Sequence, residues 1–199
     1  GKGISLFVVE KNAIGIALQG GRCLDGQRVA ELTLNNVQVG KEALLGSEGE
    51  ALSVLEATQT EATVALCAEA VGIMERLYKD TVEYTKARKQ FGVPIAVFQA
   101  LQHRMVDMFV AHEQCKSLLY KAVLSLQDNE PDTLRTVAAL KYFVGASAQK
   151  VAHEAVQIHG GMGMTDEMSV GVYLKRINVI NTLFGNSEHH LKRFLALSA

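Results

Sequence analysis

The chain has few of the residue types that mark specialised protein classes. Its 199 residues include no tryptophan, two prolines and three cysteines. Cys23, Cys67 and Cys115 lie far apart, and they have neither C-x-x-C spacing nor a nearby Cys/His ligand pattern. We interpret them as small buried or half-buried thiols, and we expect neither a disulfide framework nor a metal site.

Charge of one sign and long apolar runs are also missing. The chain has 20 Lys and Arg against 21 Asp and Glu, and the formal net charge is −1. Without a block of like charges, attraction to nucleic acid or to an anionic membrane has no evident source. No apolar run approaches the ~20 residues of a membrane span, and Gly1-Lys2-Gly3 does not begin a signal peptide. We expect a cytoplasmic protein, or one of an organelle matrix if a leader was removed.

Hydrophobic residues make up 48% of the chain, which suffices for a sizeable core. As far as about Val39, short runs of Val, Ile, Leu and Thr alternate with glycine-bearing turns such as Gly20-Gly21 and Asp25-Gly26. This pattern predicts a few antiparallel strands. The first strand starts at Ile4 with no element before it, so we expect the sequence to be a piece of something longer.

The period changes after Gly46, where apolar residues recur at the three-and-four spacing of one helix face. We predict a long helix to about Lys89, stopped by Gly92-Val93-Pro94. A second helix starts near Phe98, and a third, rich in small residues, covers about Thr133 to His159. Two shorter ones are predicted at the end of the chain. They span Asp166 to Ile180 and Ser187 to Leu197, the last capped by Asn186 or Ser187.

Strands first and long helices afterwards predict an α+β fold. We expect a partial antiparallel β-domain at residues 1–46. An up-and-down helical bundle follows at residues 47–199.

Two helix ends carry the most informative motifs. Ala87-Arg88-Lys89-Gln90-Phe91-Gly92 ends the first helix, where a cation suits the helix dipole and a phenylalanine before glycine covers a core edge. Gln157-Ile158-His159-Gly160-Gly161-Met162-Gly163 ends the third, where glycine accepts a left-handed conformation. Taken alone, each motif is an ordinary stop signal.

Together, the two motifs resemble the acyl-CoA dehydrogenase family. The resemblance covers nearly the whole chain and implies the later half of that family's middle β-domain plus its C-terminal helical bundle. The family's N-terminal helical domain and its Thr-Glu-Pro flavin segment are absent. The resemblance implies FAD as cofactor, an acyl-CoA substrate, electron-transfer flavoprotein as electron acceptor, and a homo- or hetero-tetramer.

Carried over residue by residue, the resemblance implies a set of cofactor contacts. Arg88 corresponds to the arginine that reaches the FAD diphosphate, a role that suits a permanently charged guanidinium. Residues Gln157, Gly160 and Gly161 correspond to those that meet the adenosine-diphosphate end of FAD bound mainly by a neighbouring subunit. His159 is interpreted as a structural hydrogen-bonding residue. The further flavin contacts are Gln90, Phe91, Gln99, Asn186 and Glu188.

The catalytic base departs from the family pattern. Short- and medium-chain members carry a glutamate before a glycine where this chain has Phe184-Gly185, and phenylalanine accepts no proton. Some long- and branched-chain relatives place the base on the first long helix, at the position of Ala62. The nearest carboxylate is Glu61, which one residue of displacement rotates by about 100°. Glu61 is the candidate catalytic residue, and its alternative interpretation is a solvated carboxylate at the helix start.

Three functions remain open at this point. The first is an FAD-dependent acyl-CoA dehydrogenase that performs α,β-desaturation, present here as a fragment. The second is a non-catalytic partner subunit of a heteromeric acyl-CoA dehydrogenase, and the third is a structural oligomerisation domain. The pair His189-His190 is interpreted as surface histidines, because adjacent helix residues face different directions and no third ligand is near.

Overall fold

The computed structural model describes residues 3–198. The chain divides into two compact units, and the division falls between Thr60 and Glu61. The α+β fold class is confirmed, because short antiparallel strands come first and a bundle of long helices follows.

Within residues 3–60, the first unit contains four short strands and the start of the first long helix. Strand β1 (Leu6–Phe7) pairs antiparallel with β4 (Leu44–Leu45), and β2 (Ile16–Arg22) pairs antiparallel with β3 (Arg28–Leu34). The β2–β3 hairpin turns at Asp25-Gly26, as predicted, with Gly26 at φ 83°. The predicted turn at Gly20-Gly21 is wrong. Those glycines lie inside β2 opposite Ala30 and Val29, since a ladder of backbone hydrogen bonds continues through them.

Five helices follow, and their order agrees with the periodicity of the sequence. Helix α1 ends two residues before the predicted Lys89, because strand β5 (Lys89–Gln90) starts there and pairs with β6 (Val93–Pro94). The third helix has the predicted bounds. The helices are α1 (Leu52–Ala87), α2 (Gln99–Gln127), α3 (Thr133–His159), α4 (Ser169–Thr182) and α5 (Ser187–Ala196).

Apolar faces of α1 to α4 form the core of the second unit. Met74 and Leu77 of α1, Met108 of α2, Leu140 of α3 and Ile177 of α4 are at most 1% exposed. Helix α3 supplies alanines to this core, which let its neighbours pack closely. Cys67 and Cys115 are buried and Cys23 is half-buried, as interpreted from the sequence. Burial raises the pKa of Cys67 to about 12 and that of Cys115 to about 11, which favours the protonated thiol over the nucleophilic thiolate.

Two helix termini have the predicted caps. Gly160 follows α3 at φ 58°, and its N–H donates to the Gln157 carbonyl. At the start of α5, Oδ1 of Asn186 accepts a hydrogen bond from the backbone N–H of His189 at 2.9 Å. The Asn186 side chain therefore satisfies a donor that the helix itself leaves free.

Gly145 on α3 permits a close approach of the α4–α5 segment. A Cβ at this position would lie 2.4 Å from Asn181 Oδ1 and 2.4 Å from Ser187 Oγ. These two atoms hydrogen-bond each other at 3.1 Å, directly over the glycine. The contact fixes the level on α3 at which α5 begins.

We expect Gly145→Ala to lower the free energy of unfolding by about 1–2 kcal/mol. Overpacking costs about 1–3 kcal/mol, and the better helix propensity of alanine returns up to about 1 kcal/mol. Gly72→Ala is the matched control, because Gly72 is a helical glycine with open space around a built Cβ. Urea unfolding of both variants makes the comparison. Equal stability of the two variants would show that the approach at Gly145 is not tight.

Candidate functional site

The end of α1 carries a short hairpin that presents the first motif. The backbone N–H of Arg88 continues the helix by donating to the Tyr84 carbonyl at 2.8 Å. Its own carbonyl accepts from the N–H of Ile95 at 2.8 Å, on the return side of the hairpin. Between them, Gln90 pairs with Val93. Arg88 and Gln90 are exposed at the surface of this segment.

Phe91 lies at the tip of this hairpin, where both its backbone conformation and its exposure are unusual for a phenylalanine. Its φ is 53°, in the left-handed region that bulky residues rarely adopt, and it is 91% exposed. Its ring meets the ring of Phe98 edge-on, with centroids 6.1 Å apart. Gln99 follows as the first residue of α2 and is also exposed. The tip therefore offers an aromatic edge and an amide to whatever covers it.

The end of α3 lies beside the end of α1. The Tyr84 ring stacks on the His159 ring with centroids 4.2 Å apart, and its hydroxyl donates to the His159 carbonyl at 3.2 Å. Gln157, Gly160 and Gly161 are exposed next to this contact. One end of the bundle thus carries most of the residues named from the sequence. We call this set the bundle end: Arg88, Gln90, Phe91, Gln99, Gln157, Gly160 and Gly161.

His159 supports the bundle end from inside. It is 2% exposed, and its Nδ1 lies 2.8 Å from the Ala155 carbonyl, to which it donates. Its Nε2 is buried and has no hydrogen-bond partner within residues 3–198. With the Tyr84 stack, this contact makes His159 part of the scaffold.

The bundle end combines an exposed cation, exposed amides and accessible main chain, which can together bind an anionic ligand. Arg88 supplies a guanidinium, whose planar fork suits phosphate oxygens. The glutamines supply amide donors and acceptors. At Gly160 and Gly161, a built Cβ would meet nothing within 4 Å, so a ligand can approach the main chain there.

A second group of residues lies in the turn between α4 and α5. Phe184 is 42% exposed at φ 55°, and Gly185 follows at φ 96°. Asn186 is exposed, and its side chain is engaged in the α5 cap. Glu188 pairs with Lys192 at 2.9 Å, and this hydrogen bond lowers the pKa of the Glu188 carboxyl. Phe184 to Glu188, which we call the α4–α5 turn, presents an aromatic ring beside polar groups.

The two groups are far apart within one chain. Ser187 of the α4–α5 turn lies against Gly145, which precedes Gln157 by 12 residues on α3. At a rise of 1.5 Å per residue, that interval is about 18 Å along the helix. Asn186 and Glu188 are therefore not brought next to Gln157 and Gly160. A ligand that meets both groups of one chain must be long.

Glu61 is exposed near the start of the second unit. It precedes Ala87 by 26 residues on α1, which places it about 39 Å from the helix end that carries Arg88. It precedes Cys67 by six residues, about 9 Å along the axis. Cys67 lines a small cavity together with Asn181 at the end of α4. Along α1, Glu61 is thus nearer to the level of the α4–α5 turn than to the bundle end.

Sequence reasoning missed two buried basic residues beneath this turn. Lys141 of α3 is 1% exposed, and its Nζ donates to the Ile180 carbonyl at 2.5 Å. His190 of α5 is 2% exposed, and its Nε2 donates to the Phe184 carbonyl at 2.9 Å. The interpretation of His190 as a surface histidine is wrong, because α5 packs this face onto α3, whereas His189 is exposed.

Comparison with known proteins gives consistent matches over most of the chain. The family model for the acyl-CoA dehydrogenase C-terminal domain matches residues 52–196. The short-chain specific acyl-CoA dehydrogenase of Megasphaera elsdenii is 31% identical over 192 residues, which are 95% of this chain and 50% of that protein. The chain spans about half the length of the curated relatives it matches.

Solved structures of 26–27% sequence identity share the fold of this chain. The structure of PigA with FAD and proline has a TM-score of 0.90 at 27% identity, over 98% of this chain and 52% of that one. The ChsE4–ChsE5 complex from Mycobacterium tuberculosis gives 0.87 at 26% identity, over 96% of this chain and 51% of that one. Within residues 3–198, no helix is long and apolar enough to cross a membrane.

Proposed function

This chain belongs to the acyl-CoA dehydrogenase family, and from that membership we propose that the protein containing it is an FAD-dependent oxidoreductase that desaturates an acyl-CoA thioester between its α and β carbons. The observation that carries the proposal is the bundle end. An exposed guanidinium, exposed amides and two open glycines lie together there, joined by the contact between Tyr84 and His159. FAD would supply the acceptor for the hydride that leaves the β carbon.

The proposed contacts of the bundle end lie along the diphosphate and the adenosine end of FAD. We propose that Arg88 binds the diphosphate, with Gln90, Phe91 and Gln99 beside it. Gln157, Gly160 and Gly161 would meet the adenosine-diphosphate end of a cofactor held mainly by a neighbouring subunit. The structure of PigA with FAD, which shares this fold, supports the cofactor assignment.

The α4–α5 turn would serve the reacting end of the site. We propose that Asn186 and Glu188 contact the flavin, and that Phe184 occupies the place of the glutamate of short- and medium-chain relatives. The separation of about 18 Å between this turn and Gln157 suits a cofactor shared between subunits. A homo- or hetero-tetramer and electron-transfer flavoprotein as electron acceptor belong to the same proposal.

The domain boundaries follow from the same proposal. Residues 1–46 would be the later half of a middle β-domain, and residues 47–199 the C-terminal helical domain. The hairpin supports this, because β3 is exposed along its whole length. An isolated two-stranded hairpin is marginally stable, so this one calls for further strands.

An anaerobic titration of the full-length protein with a series of acyl-CoA thioesters tests the function. We expect an acyl-CoA of suitable chain length to bleach the flavin absorbance, and electron-transfer flavoprotein to restore it. Colourless protein that cannot be reconstituted with FAD would overturn the proposal and favour a structural oligomerisation domain.

Glu61 is the proposed base, and its substitution is the second arm of the experiment. We expect Glu61→Gln to slow flavin reduction by about 10²–10⁴-fold, the usual contribution of a general base. Glu56→Gln removes another exposed carboxylate from the same helix and is expected to change nothing. Unchanged reduction in Glu61→Gln would eliminate that residue.

A non-catalytic partner subunit of a heteromeric dehydrogenase is the second candidate function. It is favoured by Phe184, which cannot take a proton, and by the likeness to the ChsE4–ChsE5 complex. Under this alternative, the protein binds FAD but no acyl-CoA bleaches it. Turnover would then return on mixing with a homologous subunit that carries a carboxylate base.

A further inference from the structure

Two buried basic side chains hold the main chain where the end of α4 leads into the α4–α5 turn. Lys141 of α3 reaches the Ile180 carbonyl in the last turn of α4, and His190 of α5 reaches the Phe184 carbonyl. The nitrogen-to-oxygen distances are 2.5 Å and 2.9 Å. Side chains from α3 and α5 therefore hold the two ends of the five-residue main-chain segment from Ile180 to Phe184.

The backbone of this turn needs such support. Phe184 and Gly185 both have positive φ, at 55° and 96°, and the first is a bulky residue in a region that favours glycine. A conformation of this kind persists only where the surrounding structure fixes it. The Phe184 side chain is 42% exposed, so its own packing fixes the backbone only in part.

Lys141 satisfies a carbonyl that α4 leaves open. Ile180 is among the last four residues of α4, whose carbonyls lack a partner within the helix. A cation is also favourable at a helix C-terminus. Burying an ammonium is costly, and desolvation lowers the pKa of Lys141. A methionine would fill the same space without that cost, which indicates that the contact with Ile180 is what the lysine contributes.

His190 holds the Phe184 carbonyl, and its imidazole ring is neutral. A carbonyl only accepts, so the proton lies on Nε2, and Nδ1 is buried without a partner among the described residues. The charged groups that face the ring are Lys141 from α3, and His189 and Arg193 from α5. All three are basic. A second proton on the ring would meet positive charge from both helices and no acceptor.

We propose that Lys141 and His190 are positioning residues that fix the α4–α5 turn, and that protonation of His190 loosens it. The turn carries Phe184, Asn186 and Glu188, so its geometry sets where these side chains stand. That last step rests on the proposed function, which places them at the flavin and the acyl chain. The hold on the turn itself does not depend on it.

The direction of the pH effect follows from the neutral ring. Burial, as the largest cause, and the basic neighbours lower the pKa of His190 in the folded protein, although the hydrogen bond to the Phe184 carbonyl acts in the other direction. The unfolded chain therefore binds more protons below its own pKa of about 6.5, so the contribution of the buried neutral ring to stability is complete above that pH. It weakens as the pH falls from there through the lowered pKa of the folded state.

Hydrogen exchange of the full-length protein tests the proposal through the amides of residues 181–187. At pH 7.5, we expect His190→Leu and Lys141→Met to raise their exchange about tenfold, the effect of losing one hydrogen bond of ordinary strength. His190→Gln keeps an N–H donor and should retain most of the protection. His153→Gln, an exposed histidine of α3, is the control.

The pH series separates positioning from a merely structural role. After correction for intrinsic rates, opening of the wild-type turn should rise as the pH is lowered from 7.5 to 5.5, and His190→Gln should remove that rise. Wild-type protection in His190→Leu, or a persisting pH effect in His190→Gln, would overturn the proposal. If Lys141→Met does not fold, Lys141→Gln makes the same comparison. Exchange requires no acyl-CoA, so the result stands apart from any failure of the dehydrogenase proposal.

Discussion

In a Glu61→Gln background, Phe184→Glu is expected to raise the rate of flavin reduction by an acyl-CoA about 10²–10⁴-fold, the range that a positioned general base contributes. The substitution places a carboxylate in the α4–α5 turn, at the position proposed to correspond to the glutamate of short- and medium-chain relatives. The backbone strain at this position is unchanged, because neither phenylalanine nor glutamate favours φ 55°. Anaerobic stopped-flow absorbance of the flavin measures the rate directly.

Phe184→Gln is the matched control for that gain. Glutamine has the size and polarity of glutamate but accepts no proton at neutral pH. A rise with both substitutions would mean that polarity or space at residue 184, rather than proton transfer, limits the rate of the Glu61→Gln protein. If Phe184→Glu does not raise the rate of flavin reduction, the turn lies away from the α carbon of the substrate. Residue 184 would then no longer be proposed as a position for the base.

Arg88→Ala is expected to weaken FAD binding by about 10–100-fold, because a hydrogen bond to a charged group contributes about 1.5–3 kcal/mol. Arg88 is exposed at the end of α1. Its loss should therefore leave the stability of the FAD-free protein unchanged. Calorimetric titration of the FAD-free protein with FAD measures the affinity, and thermal unfolding without FAD measures the stability.

Two further variants separate charge from geometry at this position. Arg88→Lys keeps the charge but loses the planar fork, so we expect an intermediate loss. Lys86→Ala removes a cation two residues away that pairs with Glu83 at 2.7 Å, and FAD affinity should stay at the wild-type level. Equal losses in Arg88→Ala and Lys86→Ala would indicate long-range electrostatics instead of a direct contact.

The spacing of apolar residues and the proline and glycine residues at helix ends made the helices predictable from sequence. Helix α3 has the predicted bounds because Pro131-Asp132 precedes it and Gly160 follows it. The two glycines at 20 and 21 misled the turn prediction, since glycine marks turns statistically but offers no barrier to strand pairing. Pairing with β3 is a tertiary choice that local sequence does not encode.

The exposed residues of the candidate site at helix ends were predictable from sequence. The buried residues that support them were less so. Lys141 could have been found, because it interrupts the apolar stripe of Val137, Val144 and Ala148 at helical spacing. His190 could not, since its burial depends on how the short helix α5 packs against α3. The pairing of Tyr84 with His159 joins residues 75 positions apart and needed the folded chain.

The distance between the bundle end and the α4–α5 turn has a genetic consequence. If each cofactor is bound by the bundle end of one subunit and the α4–α5 turn of another, every site is built from two polypeptides. A mutation of Arg88 and a mutation in the turn then affect different subunits of the same site. Co-expressed alleles, one defective in each place, would then rebuild some intact sites in mixed oligomers. Activity recovered from two individually inactive genes would be the phenotype of a cofactor held by two polypeptides.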